Sequence, residues 1–313
     1  MLHDNEFSST KLTSSFNIGV CATMSSGKST LLNAMLGIDA LPFCHKACTA
    51  RIISIEHDDK QDKLVGCRAD KDGNLYYVES DKDVINCWNL DESTVDIFLV
   101  GRMVGIRSPN RIIRFYDTPG TNNSKDKSHE RLTKEFLTKN SLDLLLYILD
   151  VEHIGTIDDA NLLRWILEND ATKNTKKIFI ANKLDSLDNE KEPITVFLKH
   201  INGYLTSIGI ESPFTLPLSA SAARLFRMAY FGATFTKRDS QRFDAMYREF
   251  MEDSFDFRQY SDTHIDSVQK PLKGTVSVGN IVYEKANLME AIERTGITLL
   301  EAIIMKQSEE DFL

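Results

Sequence analysis

Basic residues are in deficit, tryptophan and proline are sparse, and no apolar run is long enough to cross a bilayer. The chain has 37 Lys and Arg against 46 Asp and Glu, a formal charge of -9. Binding to a phosphate backbone is driven by clustered Lys and Arg. The balance therefore argues against a general nucleic-acid binder, and no nucleic-acid partner is expected. A helical span needs about 20 consecutive apolar residues, and the sequence has none. The opening MLHDNEFSSTKLTSS lacks a basic stretch followed by an apolar one, so no secretory signal is expected. The five cysteines are Cys21, Cys44, Cys48, Cys67 and Cys87. An odd number in a chain this large fits reduced thiols in a cytoplasm better than a disulfide framework. No internal repeat or low-complexity tract is present.

What is there reads as globular. Of 313 residues, 42% are hydrophobic and 27% charged, which excludes a disordered chain and allows a sizeable core. The length suggests two domains or one large α/β domain. Residues 1–15 are polar and read as a loose arm. Phe16–Cys21 reads as a buried strand, Ser29–Leu36 as a helix stopped by Gly37, and Arg51–Ile55 as a second strand. Asp72-Gly73 suggests a hairpin turn between KLVGCRA and NLYYVE. Residues 94–106 and 111–116 read as neighbouring strands. From Leu142 onward strands and helices alternate. Leu142–Val151, Lys177–Ala181 and Phe214–Leu218 read as strands; Asp158–Leu167, Ile194–Ile208 and Ala220–Tyr230 read as helices. Such alternation implies a mostly parallel sheet flanked by helices. Lys237–Tyr260 is expected to be helical, Ser261–Gly279 a polar loop, and Asn287–Ile304 a helix interrupted near Thr295-Gly296.

The first strand runs into Ala22-Thr23-Met24-Ser25-Ser26-Gly27-Lys28-Ser29-Thr30. A phosphate loop wants Gly-x4-Gly-Lys-[Ser/Thr] between a strand and a helix. Everything but the first glycine, here Ala22, is in place. Backbone N–H groups of Ser25–Ser29 can wrap phosphates at a helix N-terminus. Lys28 can neutralise the β- and γ-phosphates, and the Ser29 hydroxyl can ligate Mg²⁺.

Three further boxes follow in order. Asp117-Thr118-Pro119-Gly120 ends a strand, so Asp117 can hold Mg²⁺ through water and the Gly120 N–H can meet the γ-phosphate. Asn182-Lys183-Leu184-Asp185 follows another strand. A carboxylate at Asp185 can accept from the N1–H and exocyclic amine of guanine, a donor pair that adenine lacks. Ser219-Ala220-Ser221 could give a backbone N–H to the guanine oxygen, with a helix-capping serine as the plainer alternative. Thr49, about 20 residues beyond Ser29, can ligate Mg²⁺ through its hydroxyl and orient the attacking water through its carbonyl. Together the boxes point to a GTPase.

The combined text resembles the dynamin superfamily, most closely its bacterial dynamin-like branch. The pieces that carry the resemblance are ThrMetSerSerGlyLysSerThrLeuLeuAsnAla, CysThrAlaArgIle, AspThrProGlyThrAsn and AsnLysLeuAspSer, with the wide spacing from Gly27 to Asp117 and the Ala286–Leu300 stretch. It covers about residues 16–305. The fold it implies is that of a P-loop NTPase: an enlarged dynamin-type G domain at 16–305, with an insertion at about 58–110, a helical segment at about 237–260 and a tail at 306–313. The implied site comprises Met24, Ser25, Ser26, Gly27, Lys28, Ser29, Thr30, Asn182, Lys183, Asp185, Ser219 and Ala220 around GTP or GDP. Ser29, Thr49 and Asp117 are the implied Mg²⁺ ligands, and Thr49, Lys28, Ser25 and Gly120 serve hydrolysis. Met24 stands where eukaryotic dynamins carry a catalytic glutamine. Family catalysis is assisted by G-domain dimerisation and by a monovalent cation, potassium or sodium, that replaces an arginine finger; Ser25 matches the serine of that cation site. The implied partners are a second copy through the nucleotide face and a helical stalk or a membrane, with a cytoplasmic or peripheral membrane location. Such G domains usually continue into helical bundles, so the chain reads as an isolated G domain or as a minimal member that borrows its stalk.

Other features have bland readings. Cys44, Cys48, His45 and His57 lack the spacing of a zinc knuckle, and His153 reads as an exposed loop residue. Phe226, Tyr230, Phe231, Phe235, Phe243, Tyr247 and Phe250 read as core at helical spacing. The alternatives to a self-associating GTPase are a monomeric regulatory switch controlling a protein partner and a pseudo-GTPase scaffold. No basic C-terminal module favours the first, and the boxes are too intact for the second.

Overall fold

Strand β7 (Leu144–Asp150) explains the sheet: its LLLYILD run is buried at every position, which only a central strand covered on both faces allows. The computed structural model describes residues 14–42, 51–107, 111–121, 128–187, 193–261 and 272–310. Parallel neighbours of β7 are β1 (Ser15–Cys21) and β8 (Lys176–Asn182); β6 (Ile112–Asp117) lies beyond β1 and β9 (Thr215–Leu218) beyond β8. These five strands point one way, so the loops leaving Cys21, Asp117, Asp150, Asn182 and Leu218 gather at one edge. Ligands bind at that carboxyl edge of open α/β sheets.

The sheet extends on the other side of β6. Strand β2 (Ile53–His57) runs antiparallel to β6, with Ile53 opposite Asp117, and parallel to β5 (Thr94–Gly101). The hairpin of β3 (Val65–Asp70) and β4 (Leu75–Glu79) completes a nine-stranded order of β4-β3-β5-β2-β6-β1-β7-β8-β9. Gly73 makes its turn at φ +81. The expected mostly parallel α/β sheet is therefore present, with antiparallel pairing where β2 meets β6 and in the β5-β3-β4 part of the insertion.

Helix α1 (Lys28–Leu36) follows the first loop and stops at Gly37, whose left-handed N–H bonds the carbonyls of Asn33 and Ala34. Helices α4 (Ile157–Glu168), α5 (Ile194–Ile208) and α6 (Ala220–Tyr230) occupy the expected stretches. Helix α7 (Lys237–Phe250) ends ten residues short of the expected Tyr260, and two short 3-10 turns follow it. Those turns let Phe255 and Phe257 fold back onto Phe250, at ring distances of 5.6 and 5.3 Å. Phe226, Phe243 and Phe250 are fully buried, so the aromatic stretch is core, while Phe231 is half exposed.

Several elements depart from expectation. Helix α2 (Lys82–Leu90) is capped by the Asp81 carboxylate and lays Ile85 and Trp88 over the insertion sheet. Gly66 beneath it has no room for a Cβ, which would stand 2.9 Å from Trp88. Helix α3 (Ser128–Lys139) sets Phe136 on Tyr116, with ring centroids 4.9 Å apart. The strand expected over 94–106 ends at Gly101, because the next amides leave the ladder: Met103 donates to His57 Nδ1 and Val104 to the Met35 carbonyl. Within the expected polar loop, β10 (Thr275–Val278) begins a hairpin closed by β11 (Ile281–Glu284).

The interrupted last helix is two helices, α8 (Lys285–Arg294) and α9 (Ile297–Glu310). Gly296 separates them at φ +84, and a Cβ there would sit 2.3 Å from the Pro217 carbonyl oxygen. The tail expected from residue 306 is corrected: α9 continues to Glu310. Arg111 holds it, donating to the Ser308 carbonyl at 3.2 Å and to the Ser15 carbonyl at 3.2 Å. The loose arm expected over 1–15 is likewise shortened at its end, since Ser15 pairs with Ile112 in β1.

A buried ion pair ties α6 to α9. Arg227 donates to both Glu301 oxygens at 2.6 Å and to the Ala34 carbonyl at 3.0 Å. Removing one partner of such a pair strands a charge and costs about 3–5 kcal/mol, whereas apolar replacement of both is much milder. Arg227→Ala should therefore lower the unfolding free energy in urea far more than the double change Arg227→Met with Glu301→Leu. Equal losses in the two would refute this account.

Candidate nucleotide site

The loop between β1 and α1 contains two left-handed residues, Ser25 at φ 65 and Gly27 at φ 102. Left-handed backbone in such a loop turns successive N–H groups toward one concave side, where an anion can sit. Ser25 is exposed there, and Ser26 is fully buried. The Ser26 hydroxyl lies 2.9 Å from that of Thr23 and donates to the Thr23 carbonyl at 3.1 Å, bracing the turn. Thr30 follows in the first turn of α1.

Lys28 is 6% exposed, and its amine donates to the Ala22 and Thr23 carbonyls at 3.4 and 3.2 Å. Burial pushes its pKa down, and the Asp117 carboxylate opposes that shift. A cation held in a dry cradle by two carbonyls is arranged to meet an anion. Burial also pushes the neighbouring Cys21 thiol up to about 11, so it is inert.

The Ser29 hydroxyl donates to Asp117 Oδ2 at 2.8 Å, across 88 residues of chain. A hydroxyl and a carboxylate this close offer the hard oxygen donors that Mg²⁺ takes, so the pair fits that ion. Gly120 lies against the same loop. A Cβ there would stand 2.8 Å from Met24 Cα and 3.1 Å from Lys28 Nζ. The Met24 N–H donates to the Thr121 carbonyl at 2.8 Å, which continues the parallel pairing of β1 and β6 past their ends. No local motif in the chain pointed to that contact. Thr49, Cys44, His45 and Cys48 lie outside the described residues. His57 is buried in β2, where its Nδ1 accepts from Met103, so it serves the fold.

Asn182 joins three loops. Its Nδ2 donates to the Ser26 carbonyl at 2.8 Å, and its Oδ1 accepts the Ala220 N–H at 2.9 Å. Gly27 makes room, since a Cβ there would fall 2.3 Å from Asn182 Nδ2. This corrects the expectation for Ser219 and Ala220. The Ala220 N–H is committed to Asn182 rather than open to a guanine oxygen, and Ser219 caps α6 by accepting the Ala222 N–H at 3.1 Å.

Asp185 sits in a 3-10 turn (Leu184–Ser186) that opens on left-handed Lys183. Its Oδ1 is buried without a hydrogen-bond partner. Burial raises its pKa, with the Ser219 hydroxyl pulling the other way. An orphaned buried carboxylate oxygen fits a ligand that brings N–H donors. The Lys183 amine reaches the 5%-exposed Asp150 at 2.6 Å and Glu152 at 3.4 Å, a partnership the sequence did not suggest. His153 is largely exposed beside Asp150, as expected of a loop histidine. Among the described residues, no helix is long and apolar enough to cross a membrane.

The comparisons with known proteins agree with this geometry. No curated protein matches the chain. Among solved structures, one of an oligomerised bacterial dynamin pair, described as a mechanism for long-range sensing and tethering of membranes, is 19% identical. It aligns with TM-score 0.52 over 78% of this chain and 40% of that one, so this chain spans well under half of that protein's length. Aquifex aeolicus Era bound to GDP·AlF4⁻ is 19% identical at TM-score 0.40, over 66% of this chain and 52% of that one. Toc33 from Arabidopsis thaliana is 14% identical at TM-score 0.39, over 67% and 72%. The family model described as "Dynamin family" matches residues 18–184, more than half of the chain. The sheet order, the loop between β1 and α1 and that match place the chain in the dynamin family.

Proposed function

We propose that this chain is a Mg²⁺-dependent GTPase whose hydrolysis is coupled to the pairing of two copies through their nucleotide faces. One observation carries the reading. Lys28, the Ser29–Asp117 pair and the turn carrying the orphaned Asp185 oxygen lie on loops that leave one sheet edge, with Asn182 bonding the Asp185 loop to the Gly27 turn. In the proposed division, residues 16–305 form the G domain, with the insertion at about 58–110 and a helical segment at about 237–260.

Each residue has a definite task in this reading. N–H groups of the Ser25–Ser29 turn cradle the phosphates, and Lys28 balances their charge. Ser29, Asp117 and Thr49 would hold Mg²⁺, which when bound supplies further charge neutralisation at the β- and γ-phosphates. The Gly120 N–H donates to the γ-phosphate. Thr49 orients the attacking water. Ser25, exposed at the rim, would help hold a potassium or sodium ion, which when bound supplies positive charge that a lone copy lacks. Asp185 accepts from N1–H and the exocyclic amine of guanine.

Dimer coupling is proposed because the single copy is underequipped. Thr121 follows Gly120 where small regulatory GTPases place a glutamine, and its carbonyl is already engaged by Met24. A two-fold pair brings the same patch of both copies together and can order both sites. The membrane tethering described for the bacterial dynamin pair brings a membrane surface or a helical stalk into the same proposal as further partners.

Base choice can be tested directly. Asp185→Asn exchanges an acceptor pair for an acceptor and a donor, so preference should move from GTP toward XTP. In competition titrations the wild type should favour GTP over ATP by roughly 10⁴-fold or more, as sites built to hydrogen-bond a base edge do. Equal competition by ATP would sink the guanine assignment.

Assembly needs a different measurement. A pair that rewards closed sites should be weak with GDP and stronger with a transition-state mimic. Sedimentation with GDP, and with GDP plus aluminium fluoride, should show a dimer only in the second case, more strongly in potassium than in a bulky organic cation. If the protein stays monomeric throughout and hydrolyses GTP at a rate per molecule independent of concentration, it is a monomeric switch instead.

A further inference from the structure

We infer that Asp150 is a positioning residue for base recognition: by anchoring the Lys183 amine it sets the turn that presents Asp185 to guanine. The inference rests on the guanine-nucleotide reading above and adds one residue, Asp150, that the nucleotide boxes do not contain.

The geometry is built from neighbouring strand ends. Asp150 and Asn182 are partners in the last register position of β7 and β8. Asp150 is the terminal residue of a fully buried strand, and its side chain is 5% exposed. Its Oδ1 accepts the Glu152 N–H at 3.1 Å, which fixes the carboxylate in place. Its Oδ2 receives the Lys183 amine at 2.6 Å, with Glu152 3.4 Å away on the same amine. His153 Nδ1 lies 3.1 Å from that same Oδ2 but is 69% exposed, so Lys183 is the better sheltered partner.

Lys183 needs such an anchor. It holds φ 70 as a non-glycine residue, a strained conformation that persists only where its surroundings over-determine it. Its carbonyl accepts from both the Ser186 N–H, at 2.9 Å, and the Ser186 hydroxyl, at 2.7 Å. Asp185 lies inside that closed turn. Lys183 is thus fixed at its carbonyl by the turn and at its amine by Asp150. Releasing the amine frees the residue on which the turn begins, and the Asp185 carboxylate loses its fixed place. A base-reading carboxylate that is no longer held in one orientation loses the alignment that paired hydrogen bonds need, since such bonds weaken steeply as their angles bend.

The test compares GDP with inosine diphosphate, which lacks the exocyclic amine. Calorimetric affinities for both are measured with the wild type, Asp150→Asn, Asp150→Glu and Lys183→Met, after thermal melts establish which variants are folded. The wild type should prefer GDP. That preference should shrink about tenfold in Asp150→Asn and in Lys183→Met, and Asp150→Glu should recover part of it. Lys183→Met keeps the stem and loses only the amine, so it decides the matter if Asp150→Asn does not fold. Equal weakening of both ligands, with the preference intact, would overturn the inference and leave Asp150 a structural residue. A wild type that does not distinguish GDP from inosine diphosphate overturns the guanine reading itself.

Discussion

The Asn182 carboxamide bridges the Ser26 carbonyl on one side and the Ala220 N–H on the other, at 2.8 and 2.9 Å. These bonds join the loops after β1, β8 and β9, which are separated by 156 and 38 residues. Buried backbone polar groups must find partners, and here a side chain at the end of β8 supplies them for two loops at once. The bridge exists only because Gly27 brings no Cβ toward it. The same glycine starts α1 from a left-handed conformation, so one residue satisfies the helix start, the phosphate turn and the Asn182 contact. Any larger residue at 27 would oppose all three.

Around that bridge the site stores electrostatic tension. Lys28 and Asp117 are both buried, and burial works against each charge. The Asp185 oxygen is dry and without a donor. These features cost stability in the unliganded chain; under the proposed function, phosphate, a divalent cation and a base edge would supply the missing charges and hydrogen bonds. Groups left in this condition are characteristic of sites tuned for a ligand rather than for the fold.

The sequence made part of this legible. Near-continuous apolar runs such as LLLYILD have one physical solution, a parallel strand buried on both faces, and the boxes lie at the ends of such strands. Gly37 and Gly296 stop helices as their backbone freedom predicts. Helices α2 and α3 were not legible, because their cores are short: α2 buries Ile85, Trp88 and Asn89, and α3 His129, Thr133, Phe136 and Leu137. Their polar majority reads as loop until tertiary contacts such as Phe136 on Tyr116 are known. The β10–β11 hairpin escaped because its residues are largely exposed and each strand is only four residues long. In the site, the commitment of Ala220 to Asn182 and the pairing of Lys183 with Asp150 depend on adjacency of strand ends, which no local motif encodes.

The scaffold beneath the site is rigid for a reason that can be traced bond by bond. Helix α1 starts at Lys28 in the phosphate turn, and the Ala34 carbonyl near its other end accepts from Arg227. Arg227 is clamped by Glu301 of α9, and Gly105 packs on that carboxylate so closely that a Cβ would overlap it. Near the end of α9, the Ser308 carbonyl takes one arm of Arg111, whose other arm holds Ser15 at the start of β1. The circuit returns to the strand that delivers the phosphate turn. A nucleotide-driven change that shifted α1 would have to break the buried, charge-assisted hydrogen bond from Arg227 to the Ala34 carbonyl, at a cost of about 1.5–3 kcal/mol. Outside that frame, the Met24 N–H bonds the Thr121 carbonyl at the strand tips, and the Thr133 hydroxyl donates to the Pro119 carbonyl at 2.8 Å. The physical division is therefore between a frame made of β1, α1, α6 and α9 and the Pro119–Thr121 segment that is bonded to it through the phosphate turn and α3.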